Sequence, residues 1–104
     1  MICLKIDTSS NQKILVKLNI NEKEFIIDRE IDENKAQVVL PMIDQILKEH
    51  TLQLLDINSI EANTGPGSFV GIRVGVSVAN ALSFALKIPV NTKKVGELAE
   101  PTYA

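Results

Sequence analysis

The sequence predicts a single α/β domain in which helices pack on a mixed sheet of five strands. Apolar residues alternate with polar ones through the first 30 residues, and from residue 34 the period becomes helical. A Gly-rich turn at 65–75 then joins a strand to a second helix, and a short strand follows. Three strands followed by alternating helices and strands favour parallel later strands joined by right-handed crossovers. For a chain of 104 residues we expect one domain, over 1–104.

The first three strands are predicted from period-2 alternation, at 2–6, 14–20 and 25–27. The first strand stops at the cluster 7–11, whose Asp, Thr, Ser and Asn side chains bond to nearby backbone groups and favour a turn. The next two strands flank the short polar turn 21–23, which predicts a hairpin. The chain therefore begins as a three-stranded meander.

A first helix is predicted over 35–50. Its apolar residues recur at the i, i+3, i+4, i+7 and i+8 spacing of one helix face: Val39, Met42, Ile43, Ile46 and Leu47. Asp32 or Asn34 can cap its start, and Pro41, which lacks a backbone donor, predicts a late start or a kink. Further apolar residues beside this stripe widen it, so we expect the helix to contact two different neighbours.

The second half of the chain continues the alternation of strands and helices. The pattern predicts a strand at 57–64, a helix at 69–87, a short strand at 88–90 and the start of another helix at 96–99. The helix at 69–87 is apolar around most of its circumference, because its polar arc spans only about 120° at about 100° per residue.

The faces of this second helix point to a partner. Opposite Arg73, the residues Gly71, Gly75 and Ala79 form a ridge of small side chains that lets another backbone approach closely. A helix that packs only on a sheet needs a narrower apolar stripe than this one has. The extra apolar residues therefore predict an exposed patch that a partner covers. The alternative is that other parts of this chain cover the patch.

Composition narrows the class of protein. The chain is 45% hydrophobic and 23% charged, which is typical of a globular domain. Its net charge of −2 gives no basic footprint for direct nucleic-acid binding. The single Cys3 excludes an internal disulfide and suits a reducing compartment. No apolar run reaches the roughly 18 residues of a membrane helix, and the start does not match a signal peptide, so we expect a soluble cytoplasmic domain.

The Gly-rich turn matches neither common nucleotide-binding fingerprint. No Gly-Lys-Ser/Thr follows it, as a P-loop requires, and its spacing is one residue too long for the dinucleotide motif. We therefore favour a tight strand-to-helix turn in which Gly65 and Gly67 adopt unusual dihedrals. The alternative is an anion or nucleotide loop built from six residues: Asp7, Thr8, Gly65, Gly67, Ser68 and Arg73.

No catalytic residue and no metal site are predicted. Cys3 lies in the first strand and fits a buried apolar residue better than a nucleophile. His50 is the only histidine, so a zinc site with two histidines cannot form. Its place at the end of the first helix is explained by contact with the last carbonyl groups there.

Four segments form a recognisable series along the chain: Ile-Asp-Thr-Ser at 6–9, Val-Leu-Pro-Met-Ile at 39–43, the block at 65–75, and Ala-Leu-Lys-Ile-Pro-Val at 85–90. Together they resemble the N-terminal half of the TsaB (YeaZ) family, a subunit of the bacterial machinery for tRNA threonylcarbamoyladenosine (t6A) modification. The Gly-Pro-Gly-Ser-Phe-x-Gly-x-Arg-x-Gly block is the most specific piece. The resemblance covers essentially the whole chain.

The resemblance implies a single actin/Hsp70-like (ASKHA) lobe, a five-stranded mixed sheet with flanking helices. It also implies a catalytically inactive relative of TsaD, the subunit that carries the metal and transfers the threonylcarbamoyl group. The helices at 35–50 and 69–87 would pack against the equivalent helices of TsaD or of a second TsaB. Family members usually carry a second lobe, which we expect to be absent from 1–104, so that only half of an interlobe nucleotide site is offered.

We therefore predict a non-catalytic scaffold or activator that docks a TsaD-like subunit, or self-dimerises, through its two helices. The predicted contact residues, some of which must face the chain's own sheet, are Val39, Met42, Ile43, Ile46, Gly71, Val74, Gly75 and Val78. A bulky residue at position 75 is expected to abolish pairing and leave the fold largely intact.

We expect no cofactor on this chain, with ATP and Mg²⁺ bound only within a complex. A TsaE-like ATPase and tRNA would be reached through the assembly, and no membrane is involved. The alternative function is a nucleotide-binding phosphohydrolase that uses Asp7 and the turn at 65–68.

Overall fold

The computed structural model describes residues 1–30, 35–93 and 95–100. Its strands are β1 (Ile2–Asp7), β2 (Lys13–Ile20), β3 (Lys23–Glu30) and β4 (Ser59–Ala62). Its helices are α1 (Lys35–Glu49) and α2 (Phe69–Leu86), and a short 3₁₀ turn at Leu54–Asp56 precedes β4. The order of these elements follows the predicted order as far as α2.

The sheet is mixed, as predicted, with the strand order β3-β2-β1-β4. β1 pairs antiparallel with β2 and parallel with β4. The β2–β3 hairpin closes through a two-residue turn, Asn21-Glu22, whose φ angles of 50° and 73° are both positive. Positive φ at both positions defines the type I′ turn that matches the twist of a hairpin, so the predicted hairpin is confirmed.

The predicted fifth strand is wrong, because the sheet has four strands. At 88–90 the chain forms only one parallel bridge, between Ile60 and Val90. Pro89 lacks an N–H, and the φ of 50° at Asn91 turns the backbone out of the extended region. The Asn91 side chain replaces the missing backbone partner: its Oδ1 accepts from the Ala62 N–H at 2.7 Å and its Nδ2 donates to the Ala62 carbonyl at 3.1 Å.

Both helices cover one face of the sheet. Alternate residues of the strands on that face are fully buried: Leu4, Ile14, Val16, Leu18 and Ile60. The inner side of α1 packs against them through the fully buried Val39 and Ile46. Each such side chain contributes about 1.5–3 kcal/mol by leaving water. The opposite face is polar and carries two exposed ion pairs, Lys5–Glu61 at 3.7 Å and Lys17–Glu24 at 3.8 Å. The protein therefore has two layers with one apolar core between them.

The structure differs from the helix predictions at the start of α1 and at 96–99. α1 does not start late, since it runs from Lys35 through the exposed Pro41, while the kink stays a prediction. The proposed caps Asp32 and Asn34 lie outside the described residues. The helix predicted at 96–99 is wrong, because Gly96 adopts a φ of 95° and the backbone of Ala99 pairs with a side chain instead: both its N–H and its carbonyl bond to the Asn80 carboxamide, at 2.8 and 3.1 Å.

Candidate functional site

Two loops meet at the edge of the sheet where the parallel strands β1 and β4 end. The Ser68 N–H donates to the Ser9 carbonyl at 2.9 Å, and the Asn63 Nδ2 donates to the Ser9 hydroxyl at 3.1 Å. We call residues 7–9 and 63–68 the loop cluster. The structure thus brings together five of the six residues of the predicted anion loop: Asp7, Thr8, Gly65, Gly67 and Ser68.

Asp7 organises the first of these loops. Its Oδ1 accepts hydrogen bonds from the Ser9 N–H at 2.9 Å and from the Ser9 hydroxyl at 2.6 Å, which forms an Asx turn. Partial burial raises the pKa of the carboxyl group, but the bonds from Ser9, with Asn63 and Lys17, outweigh it and hold the pKa below its ordinary value of 3.8. Asp7 is therefore a charged group that is already engaged inside the chain.

Acid is expected to weaken the fold through Asp7. Because its pKa is lower in the folded chain than in the unfolded one, charged Asp7 favours folding. That contribution is complete above the unfolded pKa, near 3.8, and is lost as the pH falls through the lower folded value. Urea unfolding of the wild type and Asp7→Asn at a series of pH values tests this. The stability difference should shrink in acid, and a difference that stays constant down to pH 2 contradicts the assignment.

The glycines of the turn serve different needs. Gly65 has a φ of 114°, as the tight-turn interpretation predicts. Gly67 is required for space, not for its dihedral angle: a Cβ there would lie 2.8 Å from the Ser9 Cβ and 2.9 Å from the Ser9 carbonyl oxygen. The close approach of the two loops is what excludes a side chain at position 67.

Four backbone donors in the loop cluster and the first turn of α2 are committed within the chain. The Ser9 N–H donates to Asp7 Oδ1, and the Gly65 N–H donates to Asn63 Oδ1. The Ser68 N–H donates to the Ser9 carbonyl, and the Gly71 N–H donates to Ser68 Oγ. An anion site at a helix N-terminus depends on such groups pointing at the ligand. This pairing favours the structural interpretation of the turn. Arg73, the sixth residue of the predicted loop, is exposed on the side of α2 that carries Val70 and Val74.

The ridge of small residues on α2 packs against this chain's own Thr8. The Thr8 hydroxyl donates to the Gly71 carbonyl at 2.5 Å and accepts from the Gly75 N–H at 3.1 Å. A Cβ at Gly75 would overlap the Thr8 Oγ1. Gly71 and Gly75 thus face Thr8 of this chain where the sequence predicted a partner, and we now expect a bulky residue at 75 to disturb the fold.

Four predicted contact residues of α1 also lie inside the domain. Val39, Met42, Ile43 and Ile46 are buried against the sheet, so a partner cannot reach them while the core is closed. Their 3.6-residue periodicity marks the core face of α1. Val74 and Val78 are half-buried and face outward, where they line a groove of about 370 Å³ with Val70, Arg73 and Ser77.

An apolar surface covers the outer side of the helix layer. Val70 is 67% exposed and Phe84 is 79% exposed on α2, and Leu55 beside the end of α1 is 81% exposed. We call the following residues the helix surface: Leu40, Leu54, Leu55, Val70, Val74, Val78, Ala81 and Phe84. A second groove of about 400 Å³, lined by Leu40, Leu47, Leu55 and Leu82 among others, extends the surface across both helices.

Sequence reasoning missed most of this surface, although a signal was present. At about 100° per residue, Val70 and Ala81 fall within about 40° of Val74, and Phe84 falls within about 20° of Arg73. Contiguous exposed apolar patches larger than a few hundred Å² are typical of interaction sites. In the described part of the chain, no group of three or more His, Cys, Asp or Glu side chains could hold a metal ion. Among the same residues, no helix has both the length and the apolar character to cross a bilayer.

The fold and the surface define a class of protein: a two-layer α/β lobe whose helix layer is buried on its inner side and apolar on its outer side. A family model described as TsaD, tRNA N6-adenosine threonylcarbamoyltransferase, matches residues 16–92. The chain belongs to this family, within its TsaB/YeaZ group.

Individual relatives agree with this assignment. The chain is 38% identical over 86 residues to the tRNA threonylcarbamoyladenosine biosynthesis protein TsaB of Buchnera aphidicola subsp. Baizongia pistaciae, across 83% of this chain and 38% of that protein. It superposes on YeaZ from Pseudomonas aeruginosa with a TM-score of 0.82 and 31% identity, across 89% of this chain and 43% of that one. The chain thus spans about two fifths of the length of these relatives.

The similarity extends to relatives that are named as threonylcarbamoyltransferases. Over 52 residues the chain is 48% identical to the tRNA N6-adenosine threonylcarbamoyltransferase of Nitrosospira multiformis, across 50% of this chain and 15% of that protein. The superposition on YeaZ fits the ASKHA-like lobe that the resemblance implies, with four strands in place of five.

Proposed function

We propose that this chain is a non-catalytic scaffold or activator lobe in tRNA t6A modification, which docks a TsaD-like catalytic subunit through the helix surface. The observation that carries the proposal is the exposure of Val70, Phe84 and Leu55 on the outer side of the helix layer. A role in t6A modification is supported by relatives that are named for t6A biosynthesis and for threonylcarbamoyl transfer.

The length of α2 matches the width of a standard protein interface. α2 has 18 residues and is therefore about 27 Å long. A standard interface buries about 800 Å² on each partner, a patch roughly as wide as that length. Burial of apolar area stabilises such a contact by about 25 cal/mol per Å², and one exposed aromatic, Phe84, supplies an anchor of the kind that dominates interface energies.

The contacts proposed for docking are those that the core leaves exposed. Val74 and Val78 remain from the sequence prediction, and Leu40, Val70, Ala81 and Phe84 join them. The buried residues of α1 support docking indirectly, because Ile46 and its neighbours fix the helix against the sheet. The partner would meet both helices side by side.

A non-catalytic role is supported by the chemistry of the loop cluster. The Asp7 carboxylate is bonded to Ser9, and the N–H groups of Gly65 and Ser68 are bonded within the chain. A phosphoryl-transfer site instead needs donors and a carboxylate that face the ligand. ATP and Mg²⁺ would bind only within a complex, and a TsaE-like ATPase and tRNA would be reached through that assembly.

The proposal is tested by mixing the purified chain with a purified tRNA N6-adenosine threonylcarbamoyltransferase. Size-exclusion chromatography with light scattering should report a one-to-one complex. A chain that only pairs with itself, or stays monomeric in the mixture, contradicts docking to the catalytic subunit. Calorimetry of the isolated chain with ATP and Mg²⁺ should give no heat of binding. Tight binding that Asp7→Ala abolishes would favour the phosphohydrolase instead.

A further inference from the structure

The outer edge of β3 is open. β3 lies at one end of the strand order β3-β2-β1-β4 and pairs with β2 in one continuous register over its eight residues. Within the described part of the chain, no strand pairs with its other side. An edge strand presents a row of N–H and C=O groups that can pair with another chain. β3 is therefore a template for one more strand.

The pairing pattern shows which residues of β3 offer these groups. The Asn21 N–H donates to the Met1 carbonyl at 3.1 Å, so that residue and every second residue before it in β2 bond to β1. The residues between them bond to β3, and the two-residue turn makes Ile20 and Lys23 the first such pair. Every second residue of β3 from Lys23 onward thus bonds inward. The remaining residues direct their N–H and C=O groups outward, and we call them the outward set: Glu24, Ile26, Asp28 and Glu30.

Most devices that protect an edge strand are absent from β3. Natural proteins blunt such edges with short strands, proline, bulges or charged side chains. β3 is eight residues long and contains neither a proline nor a break in register, and Ile26 at its middle is 54% exposed. Charge is the remaining device, since the other three members of the outward set are acids. The acids therefore determine what can bind at this edge.

A second copy of the chain is a poor partner for this edge. An antiparallel pair of β3 strands joined through the outward set can centre on Ile26, which places Glu24 opposite Asp28 of the other copy. It can also centre on Ile27, which places Glu24 opposite Glu30. Like charges directly opposite each other in a sheet are destabilising. The edge thus disfavours pairing with itself.

A strand with basic residues at alternate positions matches the outward set. Its Lys or Arg side chains would lie beside the three acids on the polar face of the sheet, and an apolar side chain would lie beside Ile26. Opposite charges and apolar pairs across strands are both favourable. The lysines of β2 approach from the inner side only: Lys17 lies 3.8 Å from Glu24, and Lys13 pairs in register with Glu30. The outer side of the acids faces the incoming strand.

We propose that the outer edge of β3 binds an extended basic segment of another protein, which adds to the sheet as an antiparallel strand. Backbone bonds to the outward set supply affinity, and the acids with Ile26 select a segment in which Lys or Arg alternates around an apolar residue. The edge is separate from the outer side of α2, because α2 packs on β4 at the opposite end of the sheet. The inference is independent of the proposed function.

A synthetic peptide provides the probe. Fluorescein-labelled Lys-Thr-Lys-Thr-Val-Thr-Lys places its lysines opposite the three acids and its valine opposite Ile26. The control Glu-Thr-Glu-Thr-Val-Thr-Glu keeps the same length and β-propensity. In fluorescence anisotropy at low salt the basic peptide should bind, and the acidic one should bind at least about tenfold more weakly. No binding of the basic peptide, or equal binding of both, overturns the proposal.

Amide hydrogen exchange measured by NMR locates the peptide. In the free chain the N–H groups of Glu24, Ile26 and Asp28 should exchange fast, while those of Phe25 and Ile27 are protected by β2. A saturating amount of the basic peptide should slow exchange at the three outward groups by at least about tenfold. Unchanged exchange there, with the peptide bound, overturns binding at the edge. Protection in the free chain that rises with protein concentration would place a second copy on β3 and overturn the assigned occupant.

Ile26→Pro tests the backbone pairing. Proline is tolerated on an edge strand where the missing N–H faces solvent, so this change removes one outward donor and leaves the ladder to β2 intact. The variant should keep the circular dichroism of the wild type and the protection of the Phe25 and Ile27 amides. It should bind the basic peptide about tenfold more weakly. Unchanged affinity in the folded variant overturns pairing through the backbone.

Charge reversal tests the selection without touching the backbone. Glu24→Lys combined with Asp28→Lys should make the chain prefer the acidic peptide to the basic one. Glu97→Lys combined with Glu100→Lys is the matched control, because it makes the same change in net charge at two exposed residues outside the sheet. The control should keep the preference for the basic peptide. If the variant at 24 and 28 keeps that preference as well, the acids do not select the partner and the proposal is overturned.

Discussion

Gly75→Leu is expected to destabilise the domain by on the order of 3 kcal/mol or more. The new side chain would enter the space of the Thr8 Oγ1 and break two buried hydrogen bonds, to the Gly71 carbonyl and the residue 75 N–H. Overpacking a core position costs about 1–3 kcal/mol, and each buried group left unpaired adds about 1–3 kcal/mol. A domain of this size has a total stability of only about 5–15 kcal/mol.

Thermal unfolding followed by circular dichroism measures this loss. We expect the midpoint to fall by roughly 10 °C or more. Ala81→Leu is the matched control, since position 81 is exposed on the same helix, and its stability should stay within about 0.5 kcal/mol of the wild type. Equal midpoints for Gly75→Leu and Ala81→Leu would show that Thr8 does not pack against α2 as described.

Val70→Glu combined with Val74→Glu is expected to abolish docking to the catalytic subunit. Val70 is largely exposed and Val74 is half-buried, and both line the outer groove of α2. Two carboxylates would have to leave water at an apolar interface, where Arg73 in the same groove can pair with only one of them, and truncation of central contacts alone costs about 2 kcal/mol or more. We expect affinity to fall by at least about a hundredfold, which corresponds to roughly 2.7 kcal/mol.

Ile26→Glu provides the matched control for this variant. Ile26 is 54% exposed and apolar, and it pairs with Lys17 on the polar face of the sheet, away from both helices. Its replacement should leave affinity unchanged. Calorimetric titration of each folded variant with the threonylcarbamoyltransferase separates the surfaces. A loss of affinity in Ile26→Glu, with the Val70/Val74 variant unaffected, would place the interface on the other face of the sheet.

Local patterns were sufficient to predict most of the fold. The alternation at 14–20 and the polar turn after it gave the hairpin, and the helical spacing of Val39, Ile43 and Ile46 gave α1. The prediction of a fifth strand was wrong because the Asn91 side chain bonds to the edge of β4, where the backbone of another strand was expected. Such a replacement depends on tertiary position and leaves no periodic signal.

The candidate site was less predictable than the fold, for a physical reason. Periodicity indicates which side of a helix is apolar but not which apolar side faces the core. Val39 and Ile46 belonged to a set of contact candidates of which some had to face the chain's own sheet, and both lie in the core. The glycine ridge on α2 did indicate close packing. Its neighbour is Thr8, 67 residues from Gly75, and a contact of that range cannot be read from local spacing.

A methyl NMR titration of the isotopically labelled chain with the unlabelled threonylcarbamoyltransferase tests the docking surface most directly. We expect shifts or broadening at the methyl groups of Val70, Val74 and Val78, with smaller changes at Leu40 and Leu55 and none at Ile26. Complex formation that perturbs Ile26 and leaves Val70 and Val74 unchanged would contradict docking through the helix surface.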